Sequence, residues 1–596
     1  MIYDRAFTRR DRGPGDVEMA KVIIIDERDG VAEMLVSRLL ESPSVERCLR
    51  APQRADDFKS GQSGGYTPLL RTQRLDTVVY SPPLCRGKRM IPDLIDAEGV
   101  FQGCADADVK KIIVLSSAAI YGASPRNPGL ISEARIPSHN DKNPIGGKWA
   151  ELEKMALRYM GGRPGVKVTI LRPVAMPLRS GSDYFSRLFG NRLALVLPGY
   201  DPPIQLLSLN DLANAVKRAV ESSNTGIYNV APDGVIPLRV ALRLTGSRRV
   251  PIPYSLQRAA LFTLRPFNLT HSTEQLEYIR YPWTISNKKI KRELGLTFND
   301  SSAGALIDFA GGGLAAQRAV DVTRREFDDF GMDNNFVAVS RTLFNFLRRY
   351  YWRVEVDGLE KVPREGRAIL VGIHRGVMPW DAAMVLDLLA QSFGRFPRFL
   401  MHPGLIKFPF MFNLMTKLGG VIACQENADH VLERDELLGI FPEGLSGPFR
   451  LYRDAYRLGK FHNDFVKIAL RHRAPIVPFV IVGSAETFPV FGKIKWGWWK
   501  RYSLWPFIPL TPTFPLLPLP LPSKWHMQFL APLHIGEQYP PEAVNDPTIV
   551  RAISQEVRDA MKESMEKILS RRESIFYGSV FKKETHEQAS NREVDR

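Results

Sequence analysis

Between Lys21 and Thr297, short runs rich in β-branched residues alternate with amphipathic runs, and few folds accept that alternation. The apolar runs are KVIIID from Lys21, TVVYS from Thr77, KKIIVLSS from Lys110, KVTILRP from Lys167 and GIYNVAP from Gly226. Between the first two, GVAEMLVSRLLES repeats Leu35 and Leu39 at i, i+4, which sets them on one helical face. Strand, helix and strand in that order predict a βαβ unit and a parallel α/β sheet.

At 596 residues the chain exceeds what one hydrophobic core supports, so two or three domains are expected. The stretch from Asp300 to Asp333 mixes Gly, Ser and Asp with little periodicity and reads as an interdomain connection. A second α/β pattern follows, with strands expected at RAILVGI from Arg367, LLGIF from Leu437 and PIVPFVIVG from Pro475. Helices are expected over DAAMVLDLLAQSF from Asp381 and FVKIALRH from Phe465. Near the end, Ile553, Val557, Met561 and Ile568 share one face of a further amphipathic helix. The expected division is a disordered tail over 1–19, a first domain over 20–298, a linker over 299–333, a second domain over 334–575 and a charged tail over 576–596.

Lys and Arg number 81 against 64 Asp and Glu, a net charge of +17 that attracts nucleic acid, phospholipid surfaces and acyl-CoA phosphates alike. Nothing but charge speaks for nucleic acid, so no nucleic-acid partner is expected. The four cysteines, Cys48, Cys85, Cys104 and Cys424, form no CxxC pair, which predicts neither a metal site nor a disulfide framework and suits a reducing cytoplasm. The opening MIYDRAFTRRDRGPGD lacks the apolar segment of a signal peptide. The long uncharged stretch from Tyr502 to Ser523 carries seven prolines, and proline breaks the hydrogen-bond ladder that a spanning helix needs.

The segment ILVGIHRGVMPWDAAMV sets His374 just past an expected strand and Asp381 at the start of an expected helix. A histidine near neutral pKa accepts a proton from a hydroxyl, and a carboxylate on its other ring nitrogen fixes the tautomer and stabilises the imidazolium. The pair is equally compatible with an ordinary polar contact in which Asp381 caps the helix. FPEGLSG follows the apolar run LLGIF, and there Pro442 and Gly444 bracket Glu443. Such a sharp turn presents one carboxylate and backbone N–H groups, apt for a polar head group or a developing oxyanion.

Together these residues resemble the glycerolipid acyltransferase family, whose members include the 1-acylglycerol-3-phosphate acyltransferases. The family's blocks are a His with an Asp, a Gly-led substrate block, an FPEG block and a Pro-containing strand. Here they read His374 with Asp381, LGGVIACQEN from Leu418, FPEG at 441–444 and APIVPFVIVG from Ala474, in family order. The resemblance implies an α/β glycerolipid-acyltransferase fold that requires no metal or cofactor. It implies His374 as general base on the acceptor hydroxyl, Asp381 as its orienting partner, Glu443 as a positioner of the acceptor, and backbone donors near Gly444 or Gly376 for the oxyanion. Arg375, Gly376, Phe441, Pro442, Glu443, Gly444 and Arg450 are the expected substrate-binding residues. The implied partners are an acyl-CoA or acyl carrier protein donor, a lipid acceptor and an anionic membrane surface.

Two departures bear on the acceptor. Six residues separate His374 from Asp381 where the family commonly has four, so the turn must bulge, and Gly376 and Pro379 are suited to shape it. This form is similar to the branch related to mono- and diacylglycerol acyltransferases. After Gly420 no arginine occurs until Arg434, although a bidentate Arg is the natural clamp for a phosphorylated acceptor. Arg375, Arg450 and Arg453 are the alternatives.

The first half resembles the extended short-chain dehydrogenases, the NAD-dependent epimerases and dehydratases, in VKKIIVLSSAAIYG from Val109, KWAELEKMAL from Lys148, TILRPVA from Thr169 and LLSLNDLANAVKRAV from Leu206. The resemblance implies a Rossmann-like doubly wound parallel sheet. Its cofactor site is degenerate. The positions of the family's glycine turn fall on Asp26, Asp29 and Ala32, which sets two carboxylates toward a pyrophosphate, where each like-charge pair costs about 1 kcal/mol in water and about 4 at an effective dielectric of 20. Ser117, Tyr121 and Lys148 match family positions, but Pro144 stands where the catalytic tyrosine belongs. NAD(P) is therefore not expected to bind.

The leading expectation is an acyltransferase with a cofactor-free epimerase-like domain. The alternatives are a bifunctional enzyme that retains NAD(P)-dependent oxidoreduction or epimerisation, and a non-catalytic basic lipid-binding scaffold. The expected location is cytoplasmic and peripheral to a membrane. The contact is expected between Phe488 and Trp525, where Trp496, Trp498, Trp499, Tyr502 and Trp505 alternate with Lys493, Lys495, Lys500 and Arg501.

Overall fold

The computed structural model describes residues 2–4, 19–26, 31–51, 66–84, 90–136, 143–161, 165–179, 183–252, 256, 273–311, 327–376, 378–497, 507–512 and 520–581. Two compact units emerge, Met1–Gly331 and Met332–Arg596.

The β-branched runs of the first unit become strands β2 (Ala20–Ile25), β4 (Thr77–Tyr80), β5 (Lys111–Leu115), β6 (Lys167–Pro173) and β7 (Gly226–Val230). With β1 (Ile2–Asp4) and β3 (Val45–Arg50) they form a sheet in the order β1-β3-β2-β4-β5-β6-β7. All pairs are parallel except β1 on β3. Crossovers run outward in both directions from β2, and with the right hand usual for such connections they place helices on both faces, which is the doubly wound arrangement expected from the sequence. Helix α1 (Val31–Leu40) packs on α4 (Leu209–Glu221), and α2 (Leu94–Asp106) on α3 (Pro144–Gly161). Between these layers Val22, Ile23, Ile24, Val78, Ile112 and Val114 have no solvent exposure.

Two boundaries need correction. Ile2–Asp4, expected within a disordered tail, adds an antiparallel edge strand to β3 with Tyr3 opposite Cys48. Ser302–Ala310, expected within the linker, is helix α5, capped by the Ser301 hydroxyl accepting the Gly304 N–H, with Ala305 and Leu306 in the first unit's core. Small residues obscured a helix that tertiary packing selects.

The second unit has strands β8 (Glu355–Asp357), β9 (Ala368–Val371), β10 (Arg398–Met401), β11 (Val421–Ile422), β12 (Leu437–Ile440), β13 (Ile476–Val482) and β14 (His526–Phe529), ordered β8-β14-β13-β9-β12-β10-β11. Only β13 and β14 run antiparallel. Its helices include α6 (Asn334–Phe346), α7 (Trp380–Phe393), α8 (Pro409–Lys417), α9 (Gln425–Glu433), α10 (Asp464–His472) and α11 (Pro547–Arg571). The expected face of α11, Ile553, Val557, Met561 and Ile568, is buried. The chain beyond it is not free at once, because Arg353 donates to the Phe576 carbonyl at 2.7 Å and the Val580 N–H to Glu355 Oε2 at 3.2 Å. The charged tail expected from 576 is thus docked as far as these contacts.

Strand β9 lies beside β12 with Val371 opposite Ile440. Parallel neighbours in register deliver the loops that follow them side by side, so residues 374 and 443, each three past its strand, emerge together.

Leu306→Ala should cost about 2–5 kcal/mol, as for other buried leucines, in denaturant unfolding of the whole chain. A change within about 0.5 kcal/mol, usual for exposed positions, would return this segment to a linker.

Candidate active site

His374 leaves β9 on a loop whose next turn requires a positive φ, and Gly376 supplies it at 80°. The bulge closes as the longer spacing demands. Asp381 enters the first turn of α7 with no solvent exposure, and its Oδ2 lies 2.7 Å from His374 Nδ1. The same oxygen accepts the Arg375 N–H at 3.0 Å. A proton shared at Nδ1 leaves Nε2 as the acceptor nitrogen, which is the tautomer a general base needs.

The FPEG turn follows β12. The Gly444 N–H donates to the Phe441 carbonyl at 3.0 Å with Gly444 at φ 57°, so this amide closes the turn. The Phe441 ring stands 5.3 Å from the His374 ring and stacks on Phe399 at 5.3 Å. The side chain of Glu443 turns inward and pairs with Arg375, both almost fully buried. Arg375 further donates to the carbonyls of Ala455 at 2.5 Å and His374 at 3.0 Å, and Glu443 Oε1 accepts the Gly459 N–H at 2.5 Å. Arg375 and Glu443, expected to bind substrate, are therefore engaged with each other and with backbone, and their geometry is that of a strut between the His loop and the FPEG turn. Arg450 leans on the same carboxylate at 3.5 Å and lines a small crevice with Gly376. Arg453 is largely exposed beside Asp454.

His374 opens into a cavity of about 390 Å³, within the usual range of ligand sites. Leu418, Gly419 and Gly420 of the Gly-led block line it, as do Phe441 and Gly444. Sequence reasoning missed most of the remaining wall, which includes Met378, Met401, Phe408, Met411 and Met415. Only the clustering of methionine and phenylalanine over 399–415 hinted at a deformable apolar wall. Among the described residues, no charged side chain lines the cavity. Its second titratable group, His402, has its pKa lowered by burial, and its Nδ1 accepts the Gly404 N–H at 3.0 Å.

In the first unit, ligands of such sheets bind outside the strand carboxyl ends, at the point where strand order reverses between β2 and β4. There Asp26 follows β2 as a buried carboxylate, Ala32 is buried in α1, and Asp29 lies outside the described residues. The Ser117 hydroxyl caps the turn Ala118–Tyr121 by accepting the Ala119 N–H at 3.1 Å. The Tyr121 hydroxyl donates to Asn229 at 2.8 Å and accepts from Arg172 at 2.7 Å. Lys148 Nζ pairs with Glu151 at 2.8 Å. A carboxylate thus stands at the switch point, and Ser117, Tyr121 and Lys148 each have a bonding partner within the protein.

The expected membrane segment is partly described. Gly492–Ile494 and Ile508–Leu510 form an antiparallel hairpin with Phe491, Ile494 and Trp496 exposed. Trp498, Trp499, Lys500, Arg501, Tyr502 and Trp505 lie outside the described residues. Trp525, at the end of that segment, is instead fully buried and stacked on Trp352 at 4.4 Å.

A model of the acyltransferase family matches residues 353–482. An uncharacterised protein of Mycobacterium tuberculosis (strain ATCC 25618 / H37Rv) is 35% identical over 259 residues, 42% of this chain and 72% of that protein. A Bos taurus protein described as a DGAT1/2-independent enzyme synthesizing storage lipids is 25% identical over 170 residues, 27% of this chain and 48% of its own. Among solved structures, the Thermus thermophilus UDP-glucose 4-epimerase complex with NAD covers 49% of this chain and all of its own at 17% identity, with a TM-score of 0.37.

Removing one member of a buried ion pair leaves the other uncompensated, at a cost of about 3–5 kcal/mol, whereas replacing both by apolar residues is often neutral. Glu443→Ala should lower unfolding stability by that amount, and Arg375→Met with Glu443→Leu should recover most of it. Unchanged stability with a raised KM for the acceptor would instead make Glu443 a substrate contact.

Proposed function

The chain belongs to the acyltransferase family, and we propose that it moves a fatty acyl group from acyl-CoA or acyl carrier protein onto a hydroxyl of a glycerolipid or related lipid. The observation that carries this reading is the His374–Asp381 pair, 2.7 Å apart, at the wall of an apolar cavity free of charged residues. An alkyl chain gains about 0.8 kcal/mol for each buried CH₂, so such a cavity favours acyl chains over polar ligands.

In this mechanism His374 Nε2 takes the acceptor hydroxyl proton as the oxygen attacks the thioester carbonyl. Collapse of the tetrahedral intermediate breaks the C–S bond, and the imidazolium returns the proton to the departing thiolate. Asp381 holds the tautomer and stabilises the imidazolium. Of the two expected oxyanion donors, the Gly444 N–H is occupied within its turn, which leaves that of Gly376 as the candidate. The missing arginine after Gly420 and the bovine relative's description favour an uncharged acceptor such as diacylglycerol.

The first unit serves without a dinucleotide in this reading. Asp26 and Asp29 stand where the glycine turn should be, Pro144 replaces the proton-passing tyrosine, and Tyr121 is bonded to Arg172 and Asn229. The lipid substrates set the enzyme at a membrane surface, which the exposed Phe491, Ile494 and Trp496 with Lys493 and Lys495 suit.

Purified protein should convert acyl-CoA and dispersed diacylglycerol to triacylglycerol, measured as labelled product, and His374→Ala should lower kcat by at least 10²-fold, as expected for loss of a general base. Undiminished turnover in that variant sinks the assignment. Calorimetry of the whole chain with NAD(H) and NADP(H) should give no binding heat, and a Kd in the low micromolar range or tighter would overturn the cofactor-free reading.

A further inference from the structure

Helix α6 buries one face and leaves another bare. Val337 and Phe344 enter the core, whereas Val339 (75% exposed), Leu343 (52%) and Phe346 (52%) recur every three or four residues on a different face. The stripe continues into the turn Leu347–Tyr351, where Tyr350 is 68% exposed and stacks on Phe346 at 6.2 Å. Scattered exposed apolar residues need no explanation, but a stripe of four at helical spacing does.

Helix α8 adjoins it. The Asp333 N–H donates to the Lys417 carbonyl at 3.2 Å, and Lys417 Nζ stands 5.7 Å from the Phe336 ring. Met411 and Met415 of α8, with Phe408 before it, line the cavity, while Phe410 (72% exposed) and Leu414 (39%) face solvent. One short helix thus has the cavity on one side and water on the other.

Charge identifies what covers this surface. Acidic residues make up 64 of the 596, yet none occurs in 334–354 or in 401–425. The same two segments carry Arg341, Arg348, Arg349, Arg353, Lys407 and Lys417. Arg348 is bound to Asp387 at 2.9 Å, which leaves mainly Arg341, Arg349 and the two lysines to set the field. A stripe made to pack on a protein has no need to exclude acidic residues from the two segments that present it. A stripe made for anionic headgroups does, because each basic residue near such a surface contributes about 1 kcal/mol and each acidic one opposes it. The nearby Asp333 and Asp387 are buried, Asp333 as the cap of α6 and Asp387 against Arg348.

We propose that α6 and α8 form a docking face for an anionic lipid bilayer, with Val339, Leu343, Phe346, Tyr350 and Phe410 at the boundary of headgroups and acyl chains. The proposal rests on the lipid-acceptor reading only for its purpose, which is to bring the cavity wall against the leaflet that holds the acceptor. It is separate from the hairpin around Trp496, and the two surfaces are distinguished by experiment.

The full chain is sedimented with vesicles of phosphatidylcholine alone and of phosphatidylcholine with phosphatidylserine, over a salt series. The protein should bind the anionic vesicles and release them as salt rises. Leu343→Glu with Phe346→Glu, and separately Phe410→Glu, should lower that partition at least tenfold, with thermal unfolding and turnover on detergent-dispersed acceptor unchanged. Phe491→Ser with Trp496→Ser should leave most of it. Should a charge variant unfold, hydrogen exchange on the wild-type protein decides: α6 and α8 amides gain protection on anionic vesicles. Wild-type partition in the charge variants, or protection confined to the hairpin, overturns the proposal. So does conversion of a dimer to a monomer by these variants with vesicle binding intact, which would assign the stripe to a second copy of the chain. Absence of acyl transfer by the wild-type protein would refute the proposed function and leave the vesicle result readable.

Discussion

The arrangement of the second unit's site depends on one buried pairing, the guanidinium of Arg375 on the carboxylate of Glu443. Both groups lose their water, and only close geometry with further hydrogen bonds offsets so large a desolvation cost. Backbone supplies those bonds: the carbonyls of His374 and Ala455 accept from the guanidinium, and the Gly459 N–H donates to the carboxylate. The consequence is positional. The loop that carries His374 and the turn that carries Phe441 are joined at a fixed distance, and the Arg375 amide meets the same Asp381 oxygen that faces the imidazole. A residue adjacent to the proposed base thus acts through its side chain on one motif and through its backbone on the other.

That geometry explains which parts of the site were legible in the sequence. His374, Asp381 and the FPEG turn were readable because their chemistry is local: a base past a strand, an acid at a helix start, a proline and glycine around a carboxylate. The glycine bulge was readable for the same reason, since Gly376 at φ 80° is a demand on one residue. The role of Glu443 was not readable. Whether a carboxylate in a turn faces substrate or core depends on what stands across from it, and Arg375 lies 68 residues away. The cavity wall was hidden likewise, because β10, α8 and the loops around them contribute apolar residues with no shared period. Of the fold, the strands with long β-branched runs were legible, whereas β3 (VERCLR), β11 (two residues) and β14 (HMQF) are strands made by their neighbours in the sheet.

A cavity without charge and a site with several nearby cations divide the work of binding. The apolar wall has nothing to offer a phosphate, and of the sequence-derived alternatives Arg375 and Arg450 both reach the crevice beside Gly376, Arg375 with its guanidinium buried against Glu443. Arg450 is tethered to Glu443 at 3.5 Å, and Lys493 nearby has its pKa lowered by burial and by the charges of Arg450 and Lys495. Cations that already repel one another attract a diffuse anionic surface well, but they do not form the bidentate fork that a single phosphate monoester selects. Such an arrangement suits the proposed neutral acceptor drawn from a charged surface.

The first unit gathers polar residues at the carboxyl edge of its sheet. Polar residues gathered there are costly unless bonded. In this chain they bond to each other. Ser116, directly after β5, donates to Glu153 at 2.6 Å; Glu153 pairs with Arg172 at the end of β6; Arg172 donates to Tyr121; and Tyr121 donates to Asn229 of β7. Glu133 completes the set by accepting the Asn229 N–H at 2.8 Å, with burial pushing its pKa up. Within this set each hydroxyl, guanidinium and carboxylate finds a partner in the protein across three strand ends. A network so satisfied rigidifies the sheet. It also commits those groups to one another, which suits the proposal that this unit works without a dinucleotide.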